Sequence, residues 1–314
     1  MDVPLQTADI SAQGLILVPP SEPAFEEMWL NLLRAQPNAY ALRNLPADLL
    51  RAARPYSVFL KNSSERPLVA YQLIWEVTDS LGVTRAGPSS YSNPGAFMGH
   101  ADHPATLSTG CAIAPGKSRF FSLVSEVNDL PGDGRDEGYG YSYGSHRAIE
   151  KRKGEEPWEY PEEIESLDVD PLTKQYFAQL AGYRGITVKL DGAFLADGTF
   201  FGADEARFFD QIKALVAAKR DILNEVKAGL ERGLSSAEIL APLEALADGP
   251  RIQIEPRINP ADYYSFYRQN SATELLRMRA IAGDEQRCQA ALRMYTQDLQ
   301  KPWVALHKGE VQGE

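Results

Sequence analysis

The sequence predicts an α+β protein: an antiparallel β-sandwich followed by a C-terminal helical region. Three observations predict it. Short segments rich in β-branched and aromatic residues recur between about 55 and 127, separated by Asn, Ser, Pro and Gly clusters, a pattern of a sandwich rather than of strands alternating with helices. A second β-like stretch, 186–202, carries the turn pair Asp197-Gly198. From residue 204 the apolar period changes from 2 to 3.6. The chain then divides into an N-terminal strand and helices (1–54), the sandwich (55–202) with a loop-rich insertion at about 128–185, and a helical region (203–314).

Element by element, residues 14–19 read as a strand. Ser21 and Pro23 open a helix over 22–36, whose apolar positions Phe25, Met28, Trp29, Leu32 and Leu33 share one face and which Pro37 stops. A short helix follows Pro46, over 46–53. Tyr56 to Leu60 is strand-like, Asn62 to Pro67 has turn chemistry, and 68–78 alternates as a strand. There Val69, Tyr71, Leu73, Trp75 and Val77 are expected on one core-facing side and Ala70, Gln72, Ile74, Glu76 and Thr78 on a mixed one, a half-buried strand. Residues 85–104 read as a loop because Gly and Pro crowd it; 105–127 resumes strand patterning, broken by Ala114-Pro115-Gly116-Lys117. Asp170-Pro171 opens a short helix that Gly182 ends.

In the last third, Phe208, Ile212, Leu215, Ile222, Val226 and Leu230 form one helical stripe and Gly233 ends it. Ser235 and Glu238 make a capping box for a helix to about 247, with Pro242 inside it. Asn259-Pro260 opens a third helix and Asp284 caps a fourth. The economical expectation is a bundle that buries the stripe within one chain.

Composition narrows the function classes. A net charge of −11 repels phosphate backbones, so nucleic acid and anionic membrane are poor partners. No apolar run is long enough to span a bilayer. The opening Met1-Asp2-Val3-Pro4 has neither a basic nor an apolar signal region; the expected compartment is the cytoplasm, with export after removal of a signal as the alternative. Cys111 and Cys288 are expected as reduced, buried thiols, and no disulfide framework is implied.

The segment PYSVFLKNSSERPLVAYQLIWEVTDSLG resembles the paired strands of immunoglobulin-like and fibronectin-type sandwiches, in which a strand ends in an Asn-Ser turn and the next carries a buried Trp. IAPGKSRFFSL is similar to the Pro-Gly turn and outgoing strand of the same modules, and LDGAFLADGTFFG resembles a terminal hairpin of uncharacterised bacterial proteins. The resemblance implies an immunoglobulin-like antiparallel sandwich and carries no catalytic residues.

Three clusters bear on chemistry. His100, Asp102 and His103 are the candidate metal ligands, two imidazoles and a carboxylate in one short stretch. The string from Met98 resembles the His-x-His-x-Asp-His motif of the metallo-β-lactamase superfamily, but Met98 replaces its first ligand and no apolar strand precedes it. The competing reading is a polar loop. Asp129 to Glu137 has the composition of a calcium loop without EF-hand spacing, since Gly140 stands where the twelfth-position Glu belongs. Tyr139, Tyr141 and Tyr143 repeat at period 2, so an extended backbone would set three rings on one side as a platform for peptide or sugar, with His146 beside it. Against that, the rings would simply cover the sandwich edge.

No phosphate loop, dinucleotide fingerprint or nucleophile elbow is present. The expectation is a non-catalytic binding or interaction protein for an unknown protein, peptide or carbohydrate, with recognition through sandwich loops and the Tyr/Gly-rich insertion and with no cofactor. Two alternatives stay open: a metal-dependent hydrolase centred on His100, Asp102 and His103, and a self-associating structural protein; the alternative to no cofactor is a bound zinc or calcium ion.

Overall fold

A computed structural model describes residues 5–10, 13–35, 47–92, 97, 113–124, 130–131, 171–250, 260–297 and 303–309. Two β-sheets lie at its centre. The smaller is antiparallel, in the order β2 (Leu15–Val18), β3 (Ser57–Asn62), β6 (Ser118–Ser122), β7 (Leu130–Pro131). The larger runs β10 (His307–Lys308), β9 (Thr199–Phe201), β8 (Gly185–Leu195), β4 (Leu68–Thr78), β5 (Thr84–Ser92), and β1 (Leu5–Ala8) also pairs with β8.

The expected immunoglobulin-like antiparallel sandwich is not what forms. The larger sheet is mixed: β1 lies parallel to β8 and β10 parallel to β9. It curls into a half-barrel. The burial pattern shows why two solvated outer faces do not arise. In β3, Val58 faces Phe121 in the pairing register, while Phe59 and Phe120 point the other way, toward helix α1 (Pro23–Ala35). There Phe25 meets Phe59 at 5.0 Å and Trp29 meets Phe120 at 5.7 Å between ring centroids. Across the shared core, Phe121 of the small sheet meets Tyr71 of the large one edge-on at 5.6 Å. The small sheet is thus covered on one face by the large sheet and on the other by α1, while the outer face of the large sheet is covered at Val69, Ala70 and Phe194 and left partly exposed at Glu76, Thr187 and Lys189.

β4 is the middle of this arrangement and is buried from Leu68 to Trp75 on both sides, not on one. Its expected core face is also shifted. Leu68, Tyr71, Leu73, Trp75 and Val77 face the small sheet, whereas Val69 joins Ala70 on the helix-covered side. The cause is a register shift against β8 between Leu68 and Ala70: one extra residue reverses the parity of a strand whose side chains alternate. A second shift, at Gln72/Leu73, leaves Asp191 of β8 without a ladder partner. Bulges bend a strand and increase its twist, which accounts for the curl.

The stretch from 85 that reads as a loop is instead strand β5, paired with β4 from Thr84↔Thr78 to Ser92↔Ala70. Gly87 and Pro88 mislead because they are strand breakers in a sheet interior, yet an edge strand accepts them; among the described residues β5 has only β4 beside it. Asn62 closes the corner between the sheets. Its amide nitrogen donates to the carbonyls of Arg66 and Ile113, both at 2.8 Å, and its oxygen accepts from Ser64.

Three further elements complete the first part: α2 (Ala47–Ala53), a 3-10 turn Arg54–Tyr56, and α3 (Pro171–Ala181), which lays Phe177 and Leu180 into the inter-sheet core. The last third holds α4 (Phe208–Glu231), α5 (Ser236–Ala247), α6 (Pro260–Ala282) and α7 (Glu285–Thr296). The capping box is present, with the Glu238 N–H donating to Ser235 Oγ and the Ser235 N–H to Glu238 Oε2. Asp284 caps α7 by accepting from the Arg287 N–H at 2.8 Å. The α4 stripe is buried within the chain. Phe208, Ile212 and Leu215 meet Phe194, Phe200, Tyr263 and Tyr267, while Ile222 and Val226 meet Leu240, Leu243, Leu275 and Leu292. Cys288 lies in that second cluster as a buried free thiol; Cys111 is outside the described residues.

Candidate functional site

Two places on the described surface combine unusual backbone with defined chemistry. The first begins at the β8 bulge. Because Asp191 has no ladder partner, its side chain turns toward the loop that leads into α4. Its carboxylate, 2% exposed, accepts the N–H of Glu205 at 2.7 Å and of Ala206 at 3.1 Å, and its carbonyl accepts the N–H of Asp204 at 2.9 Å. Burial pushes the Asp191 carboxyl above the usual range; the two backbone N–H groups pull it back only in part, and the negative charges of Asp204 and Glu205 push the same way as burial. With each oxygen accepting a backbone N–H, Asp191 positions the loop.

What it positions is Asp204. That residue sits at φ +61, an unusual conformation for a side-chain-bearing residue. Its Oδ1 accepts the N–H of Phe209 at 2.9 Å, satisfying an otherwise unpaired donor of α4. Its Oδ2 accepts from Lys308 Nζ at 3.0 Å. The ammonium also stands 5.3 Å from the Phe209 ring centroid and 5.8 Å from that of Phe200. The two rings meet edge-on at 5.4 Å and Phe194 stacks on Phe209, buttressing the cage from behind. A carboxylate with two aromatic faces is a cation-binding arrangement.

The second place is the tip of the β4–β5 hairpin. One oxygen of Asp79 accepts the N–H groups of Leu81 and Val83, each at 2.9 Å, and the Asp79 carbonyl accepts from Gly82. Gly82 supplies φ +80, and Thr78 and Thr84 share a hydroxyl hydrogen bond of 3.0 Å below the turn. This locked turn leaves Leu81 87% and Val83 51% exposed. Among the described residues four large apolar side chains are exposed, and two of them are these neighbours.

The residues singled out from sequence, His100, Asp102, His103, Tyr139, Tyr141, Tyr143 and His146, all lie outside the described residues, as do the carboxylates of the calcium-like stretch, Asp129, Asp133, Asp136 and Glu137; of that stretch only Leu130 and Pro131 are described, as β7. Among the described residues no group of three or more His, Cys, Asp or Glu side chains is placed to hold a metal, and no helix is long and apolar enough to cross a membrane. Neither of the two places above is signalled by a motif. The Asp79-Ser-Leu-Gly turn is legible as a turn, but its exposed apolar pair is not; the Asp204 cage joins residues a hundred positions apart. No family model, curated protein or solved structure matches the chain.

Proposed function

We infer that the protein is a non-catalytic binding or interaction protein that contacts a macromolecular partner through the β4–β5 hairpin tip. The observation that carries this reading is the pairing of exposure with rigidity at Leu81 and Val83. A single exposed Leu is ordinary. Two apolar side chains on one turn whose backbone is fixed by three hydrogen bonds to Asp79 present apolar area whose backbone ordering cost is already met, which is how preorganised contacts gain affinity. The described titratable groups support the same reading, since the most buried carboxylate, Asp191, is used by backbone.

A photo-crosslinking residue at the exposed Ser80 tests this. It is expected to give one discrete adduct that re-forms with the purified partner. Leu81→Ser with Val83→Ser should abolish the adduct while changing stability by no more than roughly 0.5 kcal/mol, as for exposed positions generally. Adducts unchanged by the double substitution would refute the hairpin as the contact.

A further inference from the structure

The segment Trp303–Gly309 crosses the free edge of β9 and ends in the Asp204 cage. Its backbone is held by the N–H of Val304 to Phe97 O at 3.0 Å, of His307 to Gly198 O at 3.1 Å and of Gly309 to Phe200 O at 2.8 Å. No residue from Trp303 to Gly309 is buried. The receiving side is the opposite: Phe200, Phe194 and Phe208 are buried, and the Asp204 side chain is only 10% exposed against 59% for Lys308. The segment covers these residues with its half-buried positions Trp303, Val304, Leu306 and Gly309, Leu306 packing against their cluster, while Ala305, His307 and Lys308 stay exposed.

We propose that the β9 edge and the Asp204–Phe200–Phe209 cage form a docking groove for an extended peptide bearing a lysine followed by glycine, and that Trp303–Gly309 occupies it from within the same chain. Each requirement is visible in the present occupant. The peptide runs parallel to β9 and donates backbone N–H groups to Gly198 and Phe200, the strand-addition mode of recognition. The cationic position is read by one carboxylate and two ring faces, and a lysine tip satisfies both. The next position must be glycine, because a Cβ on Gly309 would stand 2.3 Å from the Phe201 ring. The groove wall is closed to side chains as well: a Cβ on Gly198 would lie 2.4 Å from the Ala305 carbonyl oxygen. This inference is independent of the hairpin tip, which lies at the far edge strand of the sheet from β9.

The groove is tested with the full chain and a fluorescent hexapeptide, Val-Ala-Leu-His-Lys-Gly. An intramolecular strand competes at an effective concentration on the order of millimolar, so the wild type should bind the peptide weakly. Lys308→Ala with Gly309→Ala removes the ammonium and pushes the segment off Phe201 while leaving the groove intact. That variant should bind the peptide at least about tenfold more tightly, and a peptide with Ala in place of Lys should not bind. Absence of binding to the variant, or binding indifferent to the peptide's lysine, overturns the proposal. Native-state hydrogen exchange on the wild type decides it even if the variant misfolds. The His307 and Gly309 amides should exchange at least about tenfold faster than the β4–β8 ladder, through an opening of this segment alone. Equal protection would show that the segment is an integral strand and would overturn the groove as well.

Discussion

The backbone at Gly202 passes so close to Asp191 that a Cβ there would stand 2.2 Å from the Asp191 carbonyl oxygen. The contact fixes the path of the chain from β9 into α4, and Gly202 makes it at φ +130. Gly202→Ala combines backbone strain with overlap against another backbone segment, neither of which relaxes by a rotamer change. It should destabilise the protein by roughly 2–5 kcal/mol. Chemical denaturation measures this, and a loss below about 1 kcal/mol would show that the loop has another route.

Asp191 predicts a pH dependence of definite sign. Its carboxyl is raised in the folded state, chiefly by burial, so the native protein holds this proton more tightly than the unfolded chain. The associated stability is fully present below the unfolded value, near about 3.9, and is lost as pH rises through the folded value. Asp197, Glu238 and Glu285 are lowered and act in the opposite direction, so the comparison is made against Asp191→Asn. Wild type minus variant stability should fall as pH rises across that window. A difference that rises instead would mean that the hydrogen bonds from Glu205 and Ala206 outweigh burial.

Removing the Asp191 carboxylate altogether gives a separate expectation. Asp191→Ala leaves the N–H groups of Glu205 and Ala206 without their acceptor, at a cost of about 1–3 kcal/mol for each donor that stays buried. Thermal melts should show the loss. Exchange of the 204–206 amides should increase more than that of β3, which lies in the other sheet.

Trp75 is 1% exposed and packs with Tyr71, Leu73 and Val77 against the small sheet. Trp75→Ala should cost roughly 3–5 kcal/mol. A denaturation midpoint corresponding to less than about 1 kcal/mol would contradict its place in the core.

Ile212 is 2% exposed, between Phe208 and Leu215 in the cluster that α6 completes with Tyr263 and Tyr267. Ile212→Asp buries an unpaired carboxylate. The expected result is loss of helical circular dichroism rather than a change of subunit number in sedimentation. A well-folded variant with a smaller assembly state than the wild type would place the stripe at an interface between chains.

The helices were the legible part of the chain because their signals are local. Ser235 with Glu238, Asp284 before α7, and Pro260 at the start of α6 each sit within a turn of the element they start. The extent of β4 was equally readable. The sheet architecture was not, since its parallel pairs join Leu5 to Ile186 and His307 to Thr199, and strands so short leave no periodicity. A bulge is silent as well: nothing in Leu68-Val69-Ala70 announces that Val69 will leave the face of Tyr71. The Asp204 cage was illegible for the same reason, because a lone Lys308 gains meaning only when β10 returns beside β9. The turn at Asp79 was readable, whereas the exposure of Leu81 and Val83 depends on what else in the fold reaches the tip.

The corner at Asn62 has a consequence for the chemical ageing of the protein. Asn62-Ser63 is a dipeptide of the kind that deamidates, through attack of the following backbone nitrogen on the side-chain carbonyl carbon. Here that nitrogen donates its hydrogen to the Gly14 carbonyl at 2.6 Å, and the carboxamide is fully buried and engaged at both ends. Neither atom is free to approach the other, and the amide nitrogen is equally closed to an enzyme that would attach a sugar to the Asn-Ser-Ser sequence. Isoaspartate or a glycan found at Asn62 would therefore record a period when the corner was open, before folding or after local unfolding, and would serve as a chemical timestamp of that event.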